Sequence, residues 1–160
     1  MEITYQPIGI IHSPFKTIKG MPIQPSGAES IKGKVEIYQE FIEGLKDLDG
    51  FSHIILIYHF HKVAESKLTV IPFLDSKPHG VFSTRAPLRP NHIGLSIVKL
   101  LKIENNSLHI ENVDILDGTP LLDIKPYVPE FDSCKVTSVG WLEKAKEQVK
   151  NHKSDDRFNK

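Results

Sequence analysis

Residues 95–116 read LSIVKLLKIENNSLHIENVDIL. Two apolar runs, 95–103 and 108–116, enclose Glu104-Asn105-Asn106-Ser107, and a short polar break between two such runs is the signature of a β-hairpin. In the second run the apolar positions change parity, from Leu108 and Ile110 to Val113 and Ile115, so a bulge is expected near Asn112. Upstream, residues 51–61 (FSHIILIYHFH) form the most hydrophobic segment, too short to span a membrane, and read as a central strand buried on both faces. Residues 5–12 read as a further strand, as do 33–39, where Val35 and Ile37 alternate with charged neighbours. LTVIPF at 68–73 is a weak strand, and 135–139 a last one.

Helical spacing occurs twice, at Phe41, Ile42, Leu45 and Leu48, ended by Asp49-Gly50, and at Leu142, Ala145 and Val149 within 141–151. Strands in hairpin-like succession, without long helices between them, point to an antiparallel sheet closed into a barrel and away from a doubly wound nucleotide fold. The expected fold class is mainly β: a small single-sheet antiparallel β-barrel with one or two short helices. The barrel domain covers 1–139, and a C-terminal helix with a charged, frayed tail covers 140–160.

The bulk properties narrow the function classes. A chain of 160 residues makes one domain with a real core. Its formal net charge of zero argues against a strongly basic nucleic-acid-binding domain, leaving Lys16, Lys19, Lys32, Lys34 and Arg89 as scattered basic residues for a phosphate backbone. The single Cys134 excludes an intrachain disulfide framework and fits a reducing, cytoplasmic compartment. Neither a signal peptide nor a transmembrane run is expected. The sequence contains no P-loop, no GxGxxG after a strand, no CxxC and no HExxH.

The chemistry concentrates in three loops. The chain has 17 Lys but three Arg, and two of these, Arg85 and Arg89, lie in GVFSTRAPLRPNHIGLS (80–96) among Pro87, Pro90 and Asn91. Arg in a Lys-rich chain signals a need for a planar fork that meets an anion in two directions. The prolines push Ala86 and Arg89 into extended conformation, so the loop between two strand-like segments, GVFST and IGLSIVKLL, is stiff: either an anion or ligand clamp, or a Pro-capped turn with two surface arginines in salt bridges. Residues 16–30 (KTIKGMPIQPSGAES) form a second loop, stiffened where Pro22 and Pro25 bracket Gln24. The third, DILDGTPLLDIKPYVP (114–129), carries Asp114, Asp117 and Asp123 close together, with a tight Asp117-Gly118 turn.

His53, His59 and His61 share one strand parity. His53 lies about 20 Å from His59 along a strand, so His59 and His61 alone could share an ion. Two ligands are too few for a metal site, and a strand-end histidine at a pocket mouth or packed in the core is the better reading.

Together, PIGIIHSPF, QPSG, GFSHIILIYHFH, TRAPLRPNHIGLS and DILDGTPLLDIKPYVP, in this order from about Ile8 to Asp132, resemble the TsaA/YaeB-like (TrmO) family of tRNA threonylcarbamoyladenosine N6-methyltransferases. The resemblance implies a small β-barrel with an S-adenosylmethionine (SAM) site at a homodimer interface. It implies methyl transfer to N6 of threonylcarbamoyladenosine beside a tRNA anticodon. Carried over residue by residue, the SAM contacts are Gln24, Pro25, Ser26, His61, Lys62, Arg85, Leu95, Asp117, Gly118, Thr119 and Pro120. Arg89, Asn91, Lys125 and Tyr127 are candidates for substrate binding, and Asp114, Asp117, Asp123 or His61 for a general base. The chain departs from longer bacterial members in having only a helix and a charged tail after the barrel. Two alternatives stand beside this reading: a SAM-dependent methyltransferase with a small-molecule or protein acceptor, and a non-enzymatic SAM- or nucleotide-binding barrel.

Overall fold

Alternating burial, one residue in and one out, closes this sheet on itself. The computed structural model describes residues 1–145 and 151–158. In chain order its strands are β1 (Gly9–His12), β2 (Lys32–Ile37), β3 (His53–His59), β4 (Thr69–Val70), β5 (His79–Gly80), β6 (Ile93–Glu104), β7 (Ser107–Glu111) and β8 (Thr119–Pro126). Six of them form a closed barrel in the order β1-β2-β7-β6-β3-β8, every pairing antiparallel, with β8 returning to β1 through Gly9↔Leu121. β4 and β5 pair separately. The inward side chains, among them Ile11, Val35, Ile37, Ile54, Leu56, Val98, Leu108, Ile110 and Leu121, make one continuous core. Each such aliphatic side chain contributes about 1.5–3 kcal/mol by leaving water.

The hairpin at its centre is β6–β7. Glu104 pairs with Ser107 across the turn Asn105-Asn106, and Asn105 takes the left-handed conformation (φ 55°) that such a turn requires. Asn106 Nδ2 donates to the Ile37 carbonyl (2.9 Å) and the Ile37 amide to the Asn106 carbonyl (2.8 Å), pinning the turn to β2. The bulge lies elsewhere than expected. The register slips between Leu100 and Lys102 on β6, whereas β7 simply ends at Glu111. Asn112, at φ 68°, turns the chain so that Val113 and Ile115 enter the core from a loop, which accounts for the parity change.

Four other expectations are corrected. β3 is buried on one face only: Ile54, Leu56 and Tyr58 point inward while His53, Ile55, Ile57 and His59 are half-exposed, because a barrel strand has one inside. GVFST is not a strand; β5 ends at Gly80, and Val81–Ser83 form a 3-10 turn. The expected helix around Phe41–Leu48 is instead two 3-10 turns, Gln39–Leu45 and Leu48–Gly50. A segment this short cannot repay α-helix nucleation, and Asp47 at φ 65° divides it. Its Phe41, Leu45 and Leu48 still pack on the core and plug one end of the barrel. No strand forms at 135–139, where Val136 is largely exposed, since the closed barrel leaves no edge to pair with.

After β8 comes one short helix, α1 (Pro129–Asp132). The C-terminal helix expected over 141–151 appears at its start as a 3-10 turn, Gly140–Lys144, and its remainder, with Val149, falls largely outside the described residues. The tail is docked where fraying was expected. Ser154 exchanges backbone hydrogen bonds with Met21 and Gly20, and its hydroxyl receives the Met21 amide and donates to the Ile18 carbonyl. Phe158 is 5% exposed in a second apolar cluster with Val70, Val81, Ala86 and Leu88. Arg157 donates to the Pro72 carbonyl (2.6 Å) and stacks over Phe73.

Candidate active site

The barrel end opposite the plug is open, and a cavity of about 380 Å³ occupies it. Its walls come from the end of β3 (Tyr58 through Val63), the start of β6 (Ile93 to Leu95), the loop before β6, the loop before β2, the loop after β7 and the tail. This volume lies within the range of small-molecule sites.

The loop before β6 is rigid for a reason legible in its bonds. Arg89 Nη1 donates to three backbone carbonyls, those of Val81 (3.1 Å), Thr84 (2.8 Å) and Ala86 (3.4 Å), and its guanidinium lies 5.9 Å from the Phe82 ring centre. Thr84 Oγ1 donates to the Val81 carbonyl and receives the Ala86 amide. Arg89 thus staples the loop, and Arg85 is the arm the loop presents. Arg85 Nη1 donates to Gln24 Oε1 (3.0 Å), joining two Pro-stiffened segments 61 residues apart at the cavity wall.

Deeper in, the barrel holds a polar chain. Ser96 Oγ donates to Asp114 Oδ1 (2.7 Å), so the Tyr58 hydroxyl, 3.0 Å from Ser96 Oγ, donates to Ser96. Ser96 is 1% and Tyr58 6% exposed, and both Tyr58 and Asp114 line the cavity. Burial pushes the Asp114 carboxyl up to about 6, with the Ser96 bond, its own amide and the Arg85 charge acting the other way. Burial, then the Asp114 charge, pushes the Tyr58 phenol well above its usual range. Gly94 faces the Tyr58 ring: a Cβ there would sit 2.3 Å from its Cε2, so only glycine lets the ring occupy this place. His61 also lines the cavity, and burial together with Lys62 and His59 lowers its pKa.

Of the residues singled out in the sequence, Gln24, His61, Lys62, Arg85, Arg89, Leu95, Asp114 and Thr119 come together on this cavity. Pro25 and Ser26 continue from Gln24 into the 3-10 turn Pro25–Gly27. The Asp117-Gly118 turn belongs to barrel closure: the Asp117 amide donates to Phe15 (2.8 Å) and that of Gly118 to Ile11 (2.9 Å). The Asp117 carboxylate receives Lys16 Nζ (2.6 Å) and the Ser13 amide (3.0 Å), which hold it below the usual carboxylate range. Leu116 and Thr119, on either side of the turn, reach the cavity, and Pro120 follows in β8. Asn91 lies in the turn before β6, its carbonyl taken by Ile93.

Asp123, Lys125 and Tyr127 are not brought to the cavity. Asp123 and Lys125 form an ion pair (2.8 Å), their registers opposite the outward-facing Ile57 and Ile55, and the Tyr127 amide bonds His53 at the far end of β3. The basic residues do not make a free strip either, since Lys16, Lys19 and Lys34 pair with Asp117, Asp156 and Glu36.

Sequence reasoning missed Tyr58, Ser154 and Phe158 as wall residues, and Ser96 as the group behind the wall that bonds Asp114. A serine at an inward position of an apolar strand was a usable signal for Ser96; nothing in the polar tail marked Ser154 or Phe158.

The family model of the tRNA-methyltransferase O N-terminal domain matches residues 10–133. A probable S-adenosyl-L-methionine-binding protein of Pyrococcus abyssi is 58% identical over 99% of this chain and 86% of its own length. The human tRNA (adenine(37)-N6)-methyltransferase is 38% identical over 80% of the chain, which spans only 31% of that enzyme. A crystal structure of TrmO from Pseudomonas aeruginosa superposes with a TM-score of 0.74 at 38% identity, covering 88% of this chain and 63% of that one. By the span of that match, over a barrel that the solved TrmO structure shares, the chain belongs to the tRNA-methyltransferase O N-terminal domain family.

Proposed function

We propose that this protein is a SAM-dependent methyltransferase that methylates N6 of threonylcarbamoyladenosine next to the anticodon of tRNA, acting as a homodimer. The observation that carries the reading is the cavity that joins Arg85, Gln24 and Asp114 at the open barrel end of a TrmO-family chain. The donor set fits SAM. Arg85 offers a fork to a carboxylate, Asp114 a negative charge to a cation, and Ile18, Met21, Phe60 and Phe73 an apolar bed for the adenosine.

When bound, SAM supplies an electrophilic methyl group on a sulfonium. The chain's own residues supply alignment and a destination for the proton. Arg89 keeps the clamp loop in one geometry, so that Arg85 fixes the donor before the acceptor arrives, and this positioning accounts for much of the rate. The accepting nitrogen is urea-like and must lose a proton. Asp117 is engaged by Lys16 and Asp123 faces away from the cavity, which leaves Asp114 and His61. His61, kept neutral by burial and by Lys62, is the acceptor we favour.

The homodimer rests on the outer face beside the cavity. Ile93, Leu95 and Ile97 of β6 are each more than a third exposed, opposite His59, Ile57 and Ile55 of β3, and together they form an apolar strip. Ile93 and Leu95 also line the cavity, so a second copy seated on the strip covers its mouth.

The test is methyl transfer from SAM by purified protein to tRNA with and without the threonylcarbamoyl group, read by nucleoside mass spectrometry. The proposal expects product on the modified tRNA alone. An Arg85→Ala variant should bind SAM roughly 10- to 100-fold more weakly, the value of a charge-assisted bond. SAM binding without transfer to any tRNA would favour a small-molecule or protein acceptor, or a binding role such as the name of the Pyrococcus relative states.

A further inference from the structure

Among the described residues lining the cavity, Asp114 is the one carboxylate, set against Arg85, Arg89 and Lys62. Three features build it in. Ser96, 1% exposed, donates to one carboxylate oxygen, the buried Tyr58 hydroxyl orders Ser96, and Gly94 makes room for the Tyr58 ring. A chain of two hydroxyls, each donating toward Asp114, stabilises a negative charge at that point and nowhere else on the wall. A carboxylate on the inner wall of the open barrel end, partly withdrawn from water, is costly unless a cation comes to meet it. Arg89 Nη1 is committed to three carbonyls, and Arg85, although its charge acts on Asp114, gives its hydrogen bond to Gln24.

Resting on the SAM reading above, we propose that Asp114 is the counter-charge for the sulfonium of the methyl donor, and that it is the residue by which the protein tells the donor from its demethylated product. SAM and S-adenosylhomocysteine share the adenosine, the carboxylate and the α-ammonium; they differ in one methyl group and in the positive charge on sulfur. A fixed carboxylate beside the sulfur attracts the first and is indifferent to the second. Transfer of the methyl group removes the charge and with it the attraction, so the spent product leaves. Ser96 and Tyr58 are positioning residues that act through Asp114.

The test is calorimetric titration of wild type and Asp114→Asn with SAM, S-adenosylhomocysteine and sinefungin, which carries an ammonium in place of the sulfonium. Asparagine keeps the shape and the oxygen that accepts from Ser96. The inference expects Asp114→Asn to lower affinity for SAM and for sinefungin about tenfold or more, and for S-adenosylhomocysteine less than about twofold. In the wild type, affinity for SAM falls as pH drops through the region of Asp114 protonation, while S-adenosylhomocysteine binding stays level. The groups facing Asp114 are Ser96, Tyr58 and Arg85, and the neighbouring His61 is controlled by His61→Gln. Equal weakening of all three ligands would mean that Asp114 pairs with the shared ammonium or only supports the wall, and would overturn the inference. So would no weakening at all. If the wild type binds none of the three, the SAM reading itself fails.

Discussion

Asp114 illustrates how one half-buried group makes both stability and ligand binding depend on pH. Its folded pKa of about 6 lies above the ordinary 3.8, so between those values the folded state holds more protons than the unfolded one. Stability from this group is therefore full below about pH 4 and is lost as pH rises to 6. Asp114→Asn is expected to stabilise the ligand-free protein by about 1–3 kcal/mol at pH 7–8 and by much less near pH 4, as read from urea denaturation across that range. Gly94 gives a second residue-scale prediction. Gly94→Ala places a methyl group 2.3 Å from the Tyr58 ring, and the resulting overpacking should cost about 1–3 kcal/mol and lower the melting temperature. A melting point equal to wild type would show that Tyr58 does not hold this place.

The β6–β7 hairpin was legible in the sequence because strand alternation and a polar two-residue turn are local signals, whereas the register slip between Leu100 and Lys102 was not. The 39–50 segment was not, because helical spacing of Phe41, Leu45 and Leu48 is also what a 3-10 plug needs to reach a barrel core. Arg85 and Gln24 could be singled out separately, yet their contact spans 61 residues, and no local rule fixes such a distance. The tail was misread for a similar reason: HKSDDRFNK is polar, and only the fold supplies Ile18, Met21 and Pro72 as partners for Ser154 and Arg157. Deleting residues 151–160 should leave the barrel's far-ultraviolet dichroism intact while weakening SAM binding about tenfold, since Ser154 and Phe158 wall the cavity. Unchanged affinity after the deletion would show the tail to be dispensable to the site.

For the whole molecule, the account joins a closed barrel, one open end and an apolar strip beside that opening. Ile97 lies on the strip, outside the cavity lining, so Ile97→Asp separates assembly from ligand contact. Light scattering should report a dimer for wild type and a monomer for Ile97→Asp, with SAM bound more weakly by the monomer; a wild-type monomer that binds SAM fully would remove the partner from the site. Among the described residues no helix is long and apolar enough to cross a membrane. The most direct test of the central claim, that the clamp presenting Arg85 holds the donor for tRNA methylation, is nucleoside mass spectrometry of tRNA from cells lacking this protein. Restoring the wild-type chain should return the N6-methylated threonylcarbamoyladenosine, and restoring Arg85→Ala should not; the modified nucleoside at equal levels in all these cells would contradict the account.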